Sequence, residues 1–237
     1  MSLISDFEER TAWKHERIGG WFSAHPNAQE KVAANGSYRT FPGTTVVFQC
    51  SPRMAGTLCP LQEDLHRQME ETEMLSQPLP AATFHMTLHD LVSPEQKNSL
   101  SLRDYFAEMD DSLNRAVKIV RELKQQYAGK QISLIPDHVV NMVSRSVVLM
   151  LKPAAEEDFA LLLEMYHRFD EVVRLPYPLT PHITLAYFKP GMIDGDRLGT
   201  VVSGMNEKLG SLPAFTFPAE SLTAQKFMDM RNYISIE

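Results

Sequence analysis

Apolar and polar positions along this chain follow two rhythms. Over residues 84–89 the order is Phe, His, Met, Thr, Leu, His, a period of two that predicts a strand. Met86 and Leu88 then face inward, while His85, Thr87 and His89 share the other face. Over 181–187 the order Pro, His, Ile, Thr, Leu, Ala, Tyr repeats the pattern. It puts His182 and Thr184 on one face and Ile183, Leu185 and Tyr187 on the opposite, core-facing side. Runs rich in β-branched residues predict further strands at 44–48, 131–135, 139–143, 146–151, 214–217, 222–228 and 233–236. Helical spacing takes over elsewhere. Leu61, Leu65, Met69 and Leu75 predict a helix at 61–75. Tyr105, Phe106, Met109, Leu113, Val117, Val120 and Leu123 predict one at 102–128, stopped by Gly129. Phe159, Leu162, Leu163, Tyr166 and Phe169 predict one at 156–172, and a shorter helix is expected at 194–209. Pro78 and Pro80, and again Pro176, Pro178 and Pro181, break the chain ahead of each histidine strand.

The order strand, helix, histidine strand therefore occurs twice. That predicts an α+β fold built by duplication, a single bilobal domain at 38–237 with repeats at about 38–128 and 129–237. Residues 1–37 are polar, with Ile18, Trp21 and Phe22 as apolar anchors, and read as an extension packing on the body. Ser51-Pro52-Arg53 reads as the end of a strand. The stretches 49–60, 91–102, 173–180 and 188–196 are expected to be loops, with Arg53, Arg174 and Lys189 in or beside them as solvated cations. Strict strand–helix alternation with glycine-rich first turns is absent, which argues against a dinucleotide fold.

Composition narrows the partners. At 237 residues and 43% hydrophobic the chain is long enough for one large domain or two lobes. A formal net charge of -7 disfavours long nucleic acid, because that binding is carried by basic residues on phosphates. A small nucleotide or a short RNA end remains compatible. Cys50 and Cys59 do not make a disulfide framework and suit a reducing compartment. No apolar run reaches 18 residues, and the first ten residues are too acidic for a signal peptide. A cytoplasmic monomer without membrane contact is expected.

The repeated His-x-Thr is where chemistry enters, its two histidines 97 positions apart. An imidazole titrates near neutrality, so two facing each other can serve as base and acid in an in-line displacement at phosphorus. A threonine hydroxyl two residues on, sharing the same strand face, can donate to a non-bridging phosphate oxygen. Two such strands make a nearly symmetric phosphate clamp that requires no metal.

His85-Met86-Thr87-Leu88 and His182-Ile183-Thr184-Leu185 resemble the paired motifs of the 2H phosphoesterase superfamily, which includes cyclic phosphodiesterases and RNA 2',5'-ligase-like proteins. The stretch 41–47 resembles a bacterial branch of the same superfamily. The resemblance implies two lobes, each an antiparallel sheet backed by helices, around a central groove. It implies His85 and His182 as the acid–base pair, Thr87 and Thr184 as phosphate ligands, and no cofactor. It implies substrates that are 2',3'-cyclic phosphates, ADP-ribose cyclic phosphate or 2'-5' linkages, without saying which histidine is the acid. His89, which the second strand lacks, is a candidate for substrate recognition, as is Tyr177 for stacking on a base. Two other readings compete. One is a non-catalytic module that binds a nucleotide or RNA end in the same groove. The other is a metal hydrolase on His85-x-x-x-His89, a spacing that serves zinc on a helix.

Overall fold

The chain, described by a computed structural model at residues 2–15, 19–96 and 100–237, opens with helix α1 (Leu3–Arg10), a short strand β1 (Trp21–Ser23) and one helical turn, α2 (Ala28–Lys31). There follow β2 (Gly43–Gln49), α3 (Pro52–Met69), β3 (His85–Val92), α4 (Leu102–Gln126) and β4 (Gln131–Met142). The same order returns as β5 (Ser146–Pro153), α5 (Glu156–Arg168) and β6 (His182–Tyr187), then β7 (Met192–Asp194), α6 (Gly195–Leu209) and β8 (Phe215–Pro218). Strands β9 (Leu222–Asp229) and β10 (Asn232–Ile236) complete it.

Two four-stranded antiparallel sheets result, ordered β10-β9-β2-β3 and β6-β5-β4-β8. Their spines are the runs Thr44–Phe48 and Val147–Leu151, buried throughout because each lies inside its sheet with a strand paired on both sides. Both histidine strands, β3 and β6, lie at a sheet edge and come close to each other. The C-terminal strands β9 and β10 return to the first sheet, which therefore mixes early and late segments, whereas the second sheet is drawn from residues 131–218 alone. Phe48 of β2 meets Phe217 of β8 with ring centroids 5.8 Å apart, which joins the two sheets in one core. Helix α4 packs on β2, β3 and β9, and α6 on β4. The crossover helices exchange: α3 reaches β6 and α5 reaches β3. Gly43 opens β2 where a Cβ would stand 2.3 Å from the Phe227 ring, so only glycine lets β9 approach.

Several boundaries differ from the sequence expectation. The first helix starts at Pro52 rather than near 61, because Ser51 is an N-cap whose hydroxyl accepts from the Met54 N–H and Pro52 occupies the first turn. Most of the stretch 49–60 is thus helix, and Arg53 is exposed on its first turn. The two strands expected at 131–135 and 139–143 are one, bent by a register shift between Pro136 and His138. In the N-terminal segment Phe22 packs edge-on against Phe188, but Trp21 is 63% exposed. The fully buried aromatic there is Phe7, set against Phe159 at 5.2 Å. Ile18 lies outside the described residues. Phe106, expected on the apolar side of α4, is exposed.

Candidate active site

A strand alternates faces only while its ladder is regular, and neither histidine strand is regular. Along β3, Val46 pairs with His89 and Val47 with Thr87, which leaves Leu88 as an extra residue. Along β6, Val147 pairs with Ala186 and Val148 with Thr184, which leaves Leu185 extra. Each strand thus carries a β-bulge one residue after its threonine. The bulge resets the alternation, and the two strands show the same order of half-buried and buried positions. His85, Thr87 and Asp90 share one face of β3; His182, Thr184 and Tyr187 share one face of β6.

Two sequence expectations are corrected by this. His89 does not stand beside His85 and Thr87. It is 1% exposed and packs on Tyr166 (4.9 Å) and Phe169 (5.9 Å) of the α5 region, with Nδ1 bonded to the Asp90 carbonyl. Burial lowers its pKa. Since His85 and His89 point to opposite faces, the two cannot ligate one ion, which removes the geometric basis of the zinc reading. Tyr187 likewise moves from its expected core position to the motif face. It lines the same pocket as His85, Thr184, Tyr233, Leu79 and Met230.

Each bulge frees a carbonyl from the ladder, and a side chain takes it up. The Gln62 amide on α3 donates to the Leu185 carbonyl at 2.9 Å, and the Thr45 hydroxyl donates to the His89 carbonyl at 3.1 Å.

Both imidazoles are held alike. His85 Nδ1 lies 2.7 Å from the Thr83 carbonyl and His182 Nδ1 lies 2.7 Å from the Thr180 carbonyl. A carbonyl only accepts, so Nδ1 carries the proton and a neutral ring keeps its lone pair on Nε2. Burial drives His85 down to about 4 and lowers His182 too, while the negative charge of Asp90 acts in the opposite sense on both. His182 also depresses His85, as neighbouring sites do when both would charge. Tyr233 of β10 sits on the His85 ring at 5.0 Å. Burial pushes the Tyr187 phenol up to about 12 and raises Tyr233 as well, so both remain O–H donors at neutral pH. Tyr177, 45% exposed in the segment ahead of β6, donates its hydroxyl to Asp90 Oδ2 at 2.8 Å.

The sequence reading therefore missed Asp90, Tyr187 and Tyr233. The repeated Thr-x-His-x-Thr-Leu, with Thr83 and Thr180 two residues ahead of the histidines, was a legible sign of the carbonyl that orients each ring. Behind Tyr187 a second pocket gathers Lys31 and Arg145 around Glu95, at 3.4 and 2.6 Å. Among the described residues no three of His, Cys, Asp and Glu gather as a metal-ligand set, and no helix is long and apolar enough to cross a membrane.

No family model and no curated protein matches the chain. Its fold is shared with a conserved protein of unknown function, ATU0111 from Agrobacterium tumefaciens strain C58. The two superpose with a TM-score of 0.67 at 16% identity over 98% of this chain and 97% of that one. Weaker superpositions are found with LigT of E. coli (TM-score 0.42, 12% identity, 84% of this chain and 96% of that one). Usb1 of Kluyveromyces marxianus, solved with uridine monophosphate, gives a TM-score of 0.44 at 12% identity, covering 85% and 98%.

Proposed function

We propose that this chain is a 2H phosphoesterase, which opens a cyclic phosphate or related phosphodiester of a nucleotide or short RNA end by two-histidine catalysis. One observation carries the reading. Two His-x-Thr pairs come from equivalent edge strands, His85 of one and Thr184 of the other line a single pocket, and both imidazoles are left with Nε2 for a substrate.

In hydrolysis of a 2',3'-cyclic phosphate, a water oxygen attacks phosphorus in line with the departing ribose oxygen. A neutral histidine takes the water proton at Nε2 as the new P–O bond forms. The other histidine, protonated, gives its Nε2 proton to the ribose oxygen as the old P–O bond breaks. The Thr87 and Thr184 hydroxyls and the Tyr187 phenol donate to the non-bridging oxygens, whose charge grows in the transition state. Burial favours two neutral rings in the free groove, and the negative charge of a bound diester restores a proton to one of them. The loaded groove then holds one acid and one base. No cofactor enters this scheme.

The purified chain should hydrolyse at least one member of a panel of 2',3'-cyclic nucleotides, ADP-ribose cyclic phosphate and 2'-5' dinucleotides. His85→Ala and His182→Ala should each lower kcat/KM on that substrate by on the order of 10²–10⁴. Alanine variants with undiminished rates would remove the histidines from the chemistry. A wild type that binds these ligands without turning any over would be a binding module instead.

A further inference from the structure

The two motif strands are alike up to their last groove position, and there they part. The bulges bring residue 90 of β3 and residue 187 of β6 to matching places on the motif face. One is a carboxylate and the other a phenol. We propose that Asp90 is a specificity-determining residue that tunes the groove to a singly charged phosphodiester and disfavours a doubly charged phosphomonoester. The inference rests on the phosphoesterase reading and narrows its substrate.

Three observations support it. First, Asp90 is fixed in place from across the groove: the Tyr177 hydroxyl, carried by the segment ahead of β6, donates to its Oδ2 at 2.8 Å. Second, among the described residues no lysine or arginine lines the pocket. Lys31 and Arg145 lie behind Tyr187 and outside that lining, where they share the single carboxylate of Glu95. Among the described residues, the positive charge that lines the pocket is then an imidazolium, and Asp90 opposes it. Third, the charge of Asp90 is felt by both His85 and His182, which places it within electrostatic reach of the phosphate those rings would straddle.

A diester carries one negative charge at any pH near neutrality. A monoester carries nearly two, its second pKa being about 6. One extra unit charge several ångströms from a fixed carboxylate, at an effective dielectric of about 20, weakens binding by on the order of tenfold. Hydrolysis of a cyclic phosphate turns a diester into a monoester, so the same repulsion expels the product while it tolerates the substrate.

The test sets the KM of the intact chain for hydrolysis of 2',3'-cyclic AMP against its calorimetric affinity for 3'-AMP at pH 7.5. Wild type should bind the cyclic diester more tightly than the monoester. Asp90→Asn should improve 3'-AMP affinity relative to the cyclic nucleotide by on the order of tenfold, and Asp90→Ser should do the same if the amide disturbs Tyr177. An unchanged ratio in folded variants would overturn the charge discrimination and leave the phosphoesterase reading standing. A wild type that binds neither nucleotide and hydrolyses no diester would overturn both.

Discussion

His85 and His182 are each oriented by a carbonyl two residues back in the chain, a bond that uses Nδ1 and leaves Nε2 for a substrate. Their depressed proton affinity, a result of burial, has a consequence for stability. An unfolded histidine titrates near 6.5, whereas folded His85 titrates near 4 and His182 also lies low. Between those values the unfolded chain binds more protons, so stability rises with pH through this window and is lost as pH falls through it. The thermal midpoint should therefore drop as the buffer is taken from pH 7 to pH 4. The drop should be shallower in a His85→Asn, His182→Asn double variant, with the remaining slope from His66 and His89, which burial also lowers, and from carboxylates such as Asp64 and Glu156 that hydrogen bonds hold low. Equal slopes in wild type and double variant would contradict the assigned shifts. At this scale His85, Thr87, His182 and Thr184 were legible because a repeated four-residue pattern needs no tertiary information. Asp90 was not, since an acidic residue at a strand end looks like any solvated one.

The two bulges decide which side chains join the histidines. Each is supported by the crossover helix of the other half: Gln62 on α3 caps the Leu185 carbonyl of β6, and Tyr166 on α5 packs on His89 of β3. This exchange ties the geometry of one motif strand to the other sheet. Gln62→Met keeps the side-chain length but leaves a buried carbonyl unpaired. It should cost about 1–3 kcal/mol in urea unfolding, and a variant as stable as wild type would show that the carbonyl finds another donor. Strand positions in the two main sheets were readable from period-two alternation to within a few residues, whereas the short pair β1 and β7, the latter in a stretch expected to be loop, was not. The bulges were not, because a bulge is a relation between two strands, and one strand's own sequence carries no record of its partner's register. The misplacement of His89 and Tyr187 follows from that alone. The early start of α3 had a local signal, Ser51 followed by Pro52, that serves equally to end a strand and to cap a helix.

Across the whole molecule, the two sheets share one core through Phe48 and Phe217, and the N-terminal segment adds to it through Ala24, Ala28 and Phe22. Phe7 is fully buried on Phe159 of α5, and β1 pairs with β7. Phe7→Ala should destabilise the chain by about 3–5 kcal/mol, the range for a large aromatic removed from a core. A change below about 0.5 kcal/mol in denaturant unfolding would mean that this segment does not share the cooperative unit. The opposed edge strands had to be seen in three dimensions, as did the return of β9 and β10 to the first sheet, which brings Tyr233 onto His85. Periodicity was enough to predict the α+β elements, and the repeated His-x-Thr-Leu to single out His85, Thr87, His182 and Thr184 as candidates, because each depends on neighbours within one segment. Long-range pairing chose the register that buries His89, exposes Asp90 to the groove and turns Tyr187 toward it, because a shift of one residue in a strand reverses every side chain beyond it.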